Sequence, residues 1–172
     1  MCRLMKSILE NISTLVYPKE LRKQCKQSVP PFDILKIVEQ IGARAYAGDF
    51  DYGDGENASG SIRIEQGVPI IYVNKMLPRD GQRFVLAHML GHILLGHFQN
   101  DDEEWIENAS RFSTQRGLEE ERNADAFAFE LLMPSEWVQD ALAAKIVKAE
   151  DLALMFGVSE ETMRTRLIGL GR

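Results

Sequence analysis

Arg83-Phe84-Val85-Leu86-Ala87-His88-Met89-Leu90-Gly91-His92-Ile93-Leu94-Leu95-Gly96-His97 decides how the rest of the chain is read, because it holds all three histidines of the protein. From Phe84 to Leu95 it is apolar nearly all round apart from the histidines, the pattern of a buried helix. Pro78 stands where a helix favours proline at its start. His88 and His92 are four apart, so on a helix they share one face, about 40° apart around the axis, and both imidazoles can reach one metal ion. The zinc-peptidase form of such a helix reads H-E-x-x-H, with the glutamate as general base. Here the second position is Met89. His97 is expected to point about 180° from His88 if the helix continues, and its spacing does not fit the longer three-histidine motif. Read alone, H-x-x-x-H is a weak signal, and two core histidines satisfied by hydrogen bonds are its commoner meaning.

A hydrolytic zinc takes three protein ligands and keeps one position for water. The third must come from outside this stretch. Glu119 to Met133 is a good helix former ended by Pro134, and it places Glu121, Ala124, Asp125, Ala128 and Leu132 on one face. Small residues around an acid pair let another helix approach closely, with Phe127 and Leu131 expected to pack elsewhere. A carboxylate at Glu121 in an apolar interface is costly unless paired or bound to metal. Glu121 is therefore the expected third ligand, and Asp125, one turn on, the acceptor that orients a ligand histidine through its other ring nitrogen.

The 172 residues suit one domain with a hydrophobic core, at 45% hydrophobic and 27% charged. No apolar run is long enough to span a bilayer. The N-terminal apolar residues are interrupted by Glu10 and Asn11 with no cleavage site after them, so a cytoplasmic protein is expected. Cys2 and Cys25 then read as free thiols. The net charge of -6 is uneven: Arg3, Lys6, Lys19, Arg22, Lys23 and Lys26 face only Glu10 and Glu20 in the first 28 residues, and the remainder is strongly acidic. An acidic body argues against general nucleic-acid binding. The basic arm fits contact with an acidic partner or, more commonly, a solvated helix face.

Outward from the histidine stretch, Leu4 to Val16 has helical spacing ended by Pro18, and a short second helix follows through Lys26. Asp33 caps a helix with Phe32, Leu35, Ile37, Val38 and Ile41 as apolar positions, stopping near Gly42. Residues 43–50 are a weaker strand, and the polar run from Asp49 to Gly60 a loop. Ser61 to Glu65 alternates as a half-buried strand, Gln66-Gly67 turns, and Val68 to Val73 returns, with Pro69 pointing to an edge or strand-end position. Residues 99–117 begin with Asp101, Asp102, Glu103 and Glu104, read as solvated surface or a cover over the site mouth. After Pro134 a helix runs from about Ser135 to Lys145. In the tail, Ala153 packs inside, Gly157 turns and Ser159 caps a second helix, a helix-turn-helix pattern. Its second helix carries Glu160 and Glu161 beside Arg164 and Arg166, which favours a structural or protein-contact role over DNA readout, so no DNA-binding residue is expected.

Ala87 to His97 and Glu121 to Pro134 together resemble the ImmA/IrrE family of zinc metallopeptidase-like proteins, whose paired pattern runs roughly A-H-E-L-G-H-x-L-L-x-H and E-x-x-A-N-x-F-A-x-x-L-L-M-P. Pro31-Phe32-Asp33 and the tail from Gly157-Val158-Ser159 to Gly171 are also similar, so the likeness covers about residues 30–171. It implies an α+β, zincin-like fold with a small antiparallel sheet, an active-site helix and a helical, helix-turn-helix-like C-terminal part. It implies Zn2+ on His88, His92 and Glu121, and a setting in mobile elements or stress responses, where relatives cleave or control a helix-turn-helix repressor. Asp125 stands where the family often has Asn, a mild change. Met89 stands at the family's catalytic Glu, and a thioether takes no proton from water at neutral pH.

The sequence thus predicts an N-terminal helical arm over 1–28, a metallopeptidase core over 29–135 and a C-terminal segment over 136–172 packed on that core. The expected function is recognition, and slow or absent cleavage, of a helix-turn-helix repressor, with substrate added as a strand near residues 68–74. The alternatives are a non-catalytic regulatory binding module (a pseudopeptidase) or a DNA-binding regulator. No membrane contact is expected.

Overall fold

The computed structural model describes residues 18–49, 58–97, 105–108 and 118–172, and the expected first helix (Leu4 to Val16) lies outside them. Pro18 opens a helix: α1 spans Pro18–Gln24. Cis-linked Pro30 and Pro31 lead into α2, Ile34–Gln40, whose first turn is capped by the Asp33 carboxylate accepting from the Lys36 N–H. Then come β1 (Arg44–Gly48), β2 (Ala58–Glu65) and β3 (Val68–Asn74), the long α3 (Arg79–Leu94), β4 (Trp105–Asn108), α4 (Leu118–Leu132), α5 (Ser135–Ala143), α6 (Ala149–Phe156) and α7 (Glu160–Gly169). The acidic stretch after α3 thus contains a strand that its charge conceals.

The four strands lie in the order β1-β3-β2-β4. The hairpin β2–β3 is antiparallel, with Glu65 opposite Val68 across the two-residue turn Gln66-Gly67, both at positive φ as such a tight loop demands. β4 is antiparallel to β2, but β1 runs parallel to β3. The sheet is therefore mixed, not purely antiparallel, because β1 pairs with the second strand of the hairpin rather than with the first. β3 is an inner strand, which corrects the expectation that residues 68–74 offer an edge. Pro69 is tolerated because the parallel ladder starts only at Ile70.

One face of the sheet, through Ile62, Ile71 and Val73, packs on α3 in a single buried cluster that also takes in Leu21 of α1, Ile37 of α2, Leu131 of α4 and Phe156 and Met163 of the last two helices. α1 docks through Arg22, only 3% exposed, whose Nη1 donates to the carbonyls of Glu130 (2.6 Å) and Leu131 (3.4 Å) at the C-terminal end of α4. A cation there meets the unsatisfied carbonyls of a helix end. The basic arm is thus partly spent on the body, with Lys19 on Glu136 as a second, exposed tie.

The helix-turn-helix pattern is present: Gly157 closes α6 in the left-handed region and the Ser159 hydroxyl caps α7 by accepting from the Thr162 N–H. The cations of α7 are engaged. Arg164 pairs with Glu160, and Arg166 reaches Glu130 and donates to the Met133 carbonyl at 3.0 Å.

α3 and α4 touch at Gly91. A Cβ there would lie 3.2 Å from the Ala124 Cα, from its carbonyl oxygen and from Phe127 Cδ1, so the helices meet nearly backbone to backbone. Phe127 therefore packs against α3 as well, where the helical wheel placed it elsewhere. Gly91→Val should overpack this contact, cost about 1–3 kcal/mol and lower the melting temperature by several degrees in thermal unfolding.

Candidate metal centre

Helix geometry brings the two imidazoles together, as their spacing predicts. His88 is 4% exposed and His92 fully buried, with their Nε2 atoms 2.9 Å apart. The close α3–α4 contact delivers Glu121 to the same point: its Oε2 lies 3.3 Å from His88 Nε2 and 3.6 Å from His92 Nε2. Tetrahedral zinc with nitrogen and oxygen ligands at about 2.0–2.2 Å separates its donors by roughly 3.3–3.6 Å, so this triangle is close to the size that such an ion needs. The three residues are the metal-competent group found among the described residues.

The surroundings fit a cation. The second carboxylate oxygen of Glu121, Oε1, is buried with no hydrogen-bond partner, a cost that a metal or its bound water would relieve. Burial pushes the Glu121 carboxyl up, but hydrogen bonds from His88 and His92 outweigh it and hold it at about 2. Two neutral imidazoles and one carboxylate are the ligand types of hydrolytic zinc.

Each histidine is oriented from behind. His88 turns Nδ1 to the Asp125 carboxylate at 3.0 Å, the contact expected of Asp125. With a metal bound, this contact would keep the single ring proton on Nδ1 and leave Nε2 as a lone pair for the ion; without one, Nε2 carries a proton towards Glu121. His92 has its own partner, which sequence reasoning missed: His97 Nδ1 stands 2.9 Å from His92 Nδ1. α3 stops at Leu94, Gly96 takes φ +73°, and the His97 N–H bonds back to the His92 carbonyl, folding the third histidine onto the second. The available signal was Gly96, a helix-ending glycine directly before the histidine. Burial, then the neighbouring His92, pulls the His97 pKa down, which keeps its ring neutral and able to accept the His92 Nδ1 proton.

Met89 is fully buried, and its Cε lies near Gly60 of β2, 3.3 Å from where a Cβ on that glycine would be. It packs between helix and sheet as an ordinary core side chain.

The sequence profile of a peptidase family described as the IrrE N-terminal-like domain matches residues 39–167. The chain belongs to this family. Among curated proteins no significant match is found. The α+β fold with its mixed sheet agrees with the zincin-like architecture expected for an IrrE-like domain, and no helix among the described residues is long and apolar enough to cross a membrane.

In the metal-free protein the depressed Glu121 pKa makes a signed prediction. Its stabilising effect is complete above the unfolded value near 4.5 and is lost as the pH falls through about 2. The stability difference between the chelator-treated wild type and Glu121→Gln should therefore shrink between pH 5 and pH 2, read by denaturant unfolding at each pH.

Proposed function

We propose that this IrrE-like domain binds one zinc ion through His88, His92 and Glu121 and recognises a helix-turn-helix repressor, with peptide hydrolysis slow or absent because Met89 occupies the general-base position. The convergence of the three donor atoms within 3.6 Å, on a helix whose second motif position is a buried methionine, carries this reading. Asp125 and His97 hold the two imidazoles with Nε2 turned to the ion. Glu121 supplies the charge, and its second oxygen stands ready to hold water or metal. A bound zinc would acidify its water toward a pKa of about 7, but no methionine can carry the proton onward. The lost general base corresponds to about 10²–10⁴ in rate.

The expected substrate strand moves from residues 68–74 to β4. β3 is paired on both sides, whereas among the described residues β4 is the outer strand of the sheet beside β2, whose Gly60 lies over Met89. An extended segment adding to the β4 backbone would run past the helix that bears the histidines.

A non-catalytic pseudopeptidase is the second reading, favoured by how completely Met89 is absorbed into the core. Met89→Glu separates the two. A proteome-derived peptide library, incubated with zinc-loaded protein and read by mass spectrometry for new termini, should show cleavage at least about 10²-fold faster with Met89→Glu than with wild type, and none with Met89→Glu/His92→Ala. No new termini from zinc-loaded Met89→Glu would favour the binding module. DNA reading through α7 is disfavoured by the engagement of Arg164 and Arg166, and a gel shift at modest salt should show no binding.

His97→Ala should weaken zinc binding by about 10–100-fold in competition with a chelator, without unfolding the domain.

A further inference from the structure

At the opposite edge of the sheet from β4, along the N-terminal half of α3, lies a groove of about 360 Å3. Groove and metal centre use different faces of that helix: Leu86, the lining residue nearest the histidines, stands two residues before His88 and so about 160° round the axis from it. Its walls are mainly aliphatic: Ile34 and Leu35 of α2, Ala45 and Ala47 of β1, Val73 of β3 and Leu86 of α3. The two alanines make the hollow. A strand usually carries larger β-branched residues on the face turned to its helices. Here β1 reads Arg-Ala-Tyr-Ala-Gly, and Tyr46 pairs instead with Tyr72 on the other face, ring centres 5.9 Å apart.

Three further observations point to what the groove takes. β1 is paired only to β3, so among the described residues its outer backbone edge is open. From Ala45 to Gly48 it carries none of the charges or prolines with which edges are usually protected. The rim is cationic. Arg79 is exposed and makes no ion pair among the described residues. Arg83 donates Nε to the Gly157 carbonyl and Nη1 to the Phe32 carbonyl, while its Nη2 is buried without an acceptor. The one carboxylate that lines the groove, Asp33, already caps α2.

We propose that the β1 edge is a docking strand for an extended segment of a partner protein that alternates aliphatic and acidic residues. The segment pairs with the β1 backbone, seats an aliphatic side chain over Ala45 and Ala47, and offers a carboxylate to Arg79 and Arg83. Main-chain pairing supplies affinity, and the groove and the arginines supply selectivity. A second copy of this chain fits less well, because its own β1, Arg-Ala-Tyr-Ala-Gly, brings no carboxylate to Arg79 and Arg83. The proposal does not depend on metal binding or hydrolysis elsewhere.

The test uses the full chain and the hexapeptide acetyl-Asp-Val-Glu-Leu-Asp-Val-amide, with a control in which lysine replaces each acid. Backbone-amide NMR should show saturable shifts and slowed hydrogen exchange at residues 44–48. The lysine peptide and Arg79→Glu should each bind about tenfold more weakly. Ala47→Leu, which fills the groove, should abolish binding while leaving zinc content and melting temperature equal or higher. The proposal fails if no shift appears on β1, if the lysine peptide binds equally, or if the shifts map to β4. It also fails if β1 is already protected without peptide, which would mean that its own chain or a second copy occupies the edge.

Discussion

The close approach of α3 and α4 at Gly91 is the constraint on which the site depends. Only with Gly91 against Ala124 can the first turn of α4 lie near enough for Glu121 to meet two imidazoles from the neighbouring helix. A larger residue at either position would push the carboxylate out of reach before it touched any other part of the fold. The same contact buries His92 completely, so its ring must find its partners inside the protein. It finds Glu121 and His88 on one side and His97 on the other.

The network has a clear polarity. Asp125, His88, Glu121, His92 and His97 form a chain in which the outer members fix ring orientation and the inner three converge. The fold surrounds this chain with apolar side chains and places Met89 among them. Where the family's chemistry calls for a proton acceptor, this chain has a side chain that contributes packing. The metal-competent group and the position of the family's proton acceptor are therefore separate features of the fold, and it is at the second that Met89 departs from the family pattern.

Much of this was legible in the sequence because it rests on local periodicity. The four-residue spacing of His88 and His92, and the shared face of Glu121, Ala124 and Asp125, follow from helix geometry alone. The Asp33 and Ser159 caps and the Gln66-Gly67 turn likewise use only neighbouring residues. What was missed is non-local or masked by composition. β1 pairs in parallel with β3, a choice that no local pattern encodes. β4 hides behind a run of acids. Pro69 sits in an inner strand because only its neighbours complete the ladder. His97 was dismissed on the assumption that the helix continues, when Gly96 ends it and turns the chain back. Arg22, counted among surface cations, is buried on the end of α4.

His88, His92 and Glu121 are arranged as a group able to hold a metal. Elemental analysis of the purified protein under zinc-replete conditions, with His92→Ala as its partner, tests it most directly. About one zinc per chain is expected in the wild type, with a large loss in His92→Ala and the fold intact. A zinc-free wild type, or equal zinc in both, would contradict it and leave the histidines as a hydrogen-bonded part of the core.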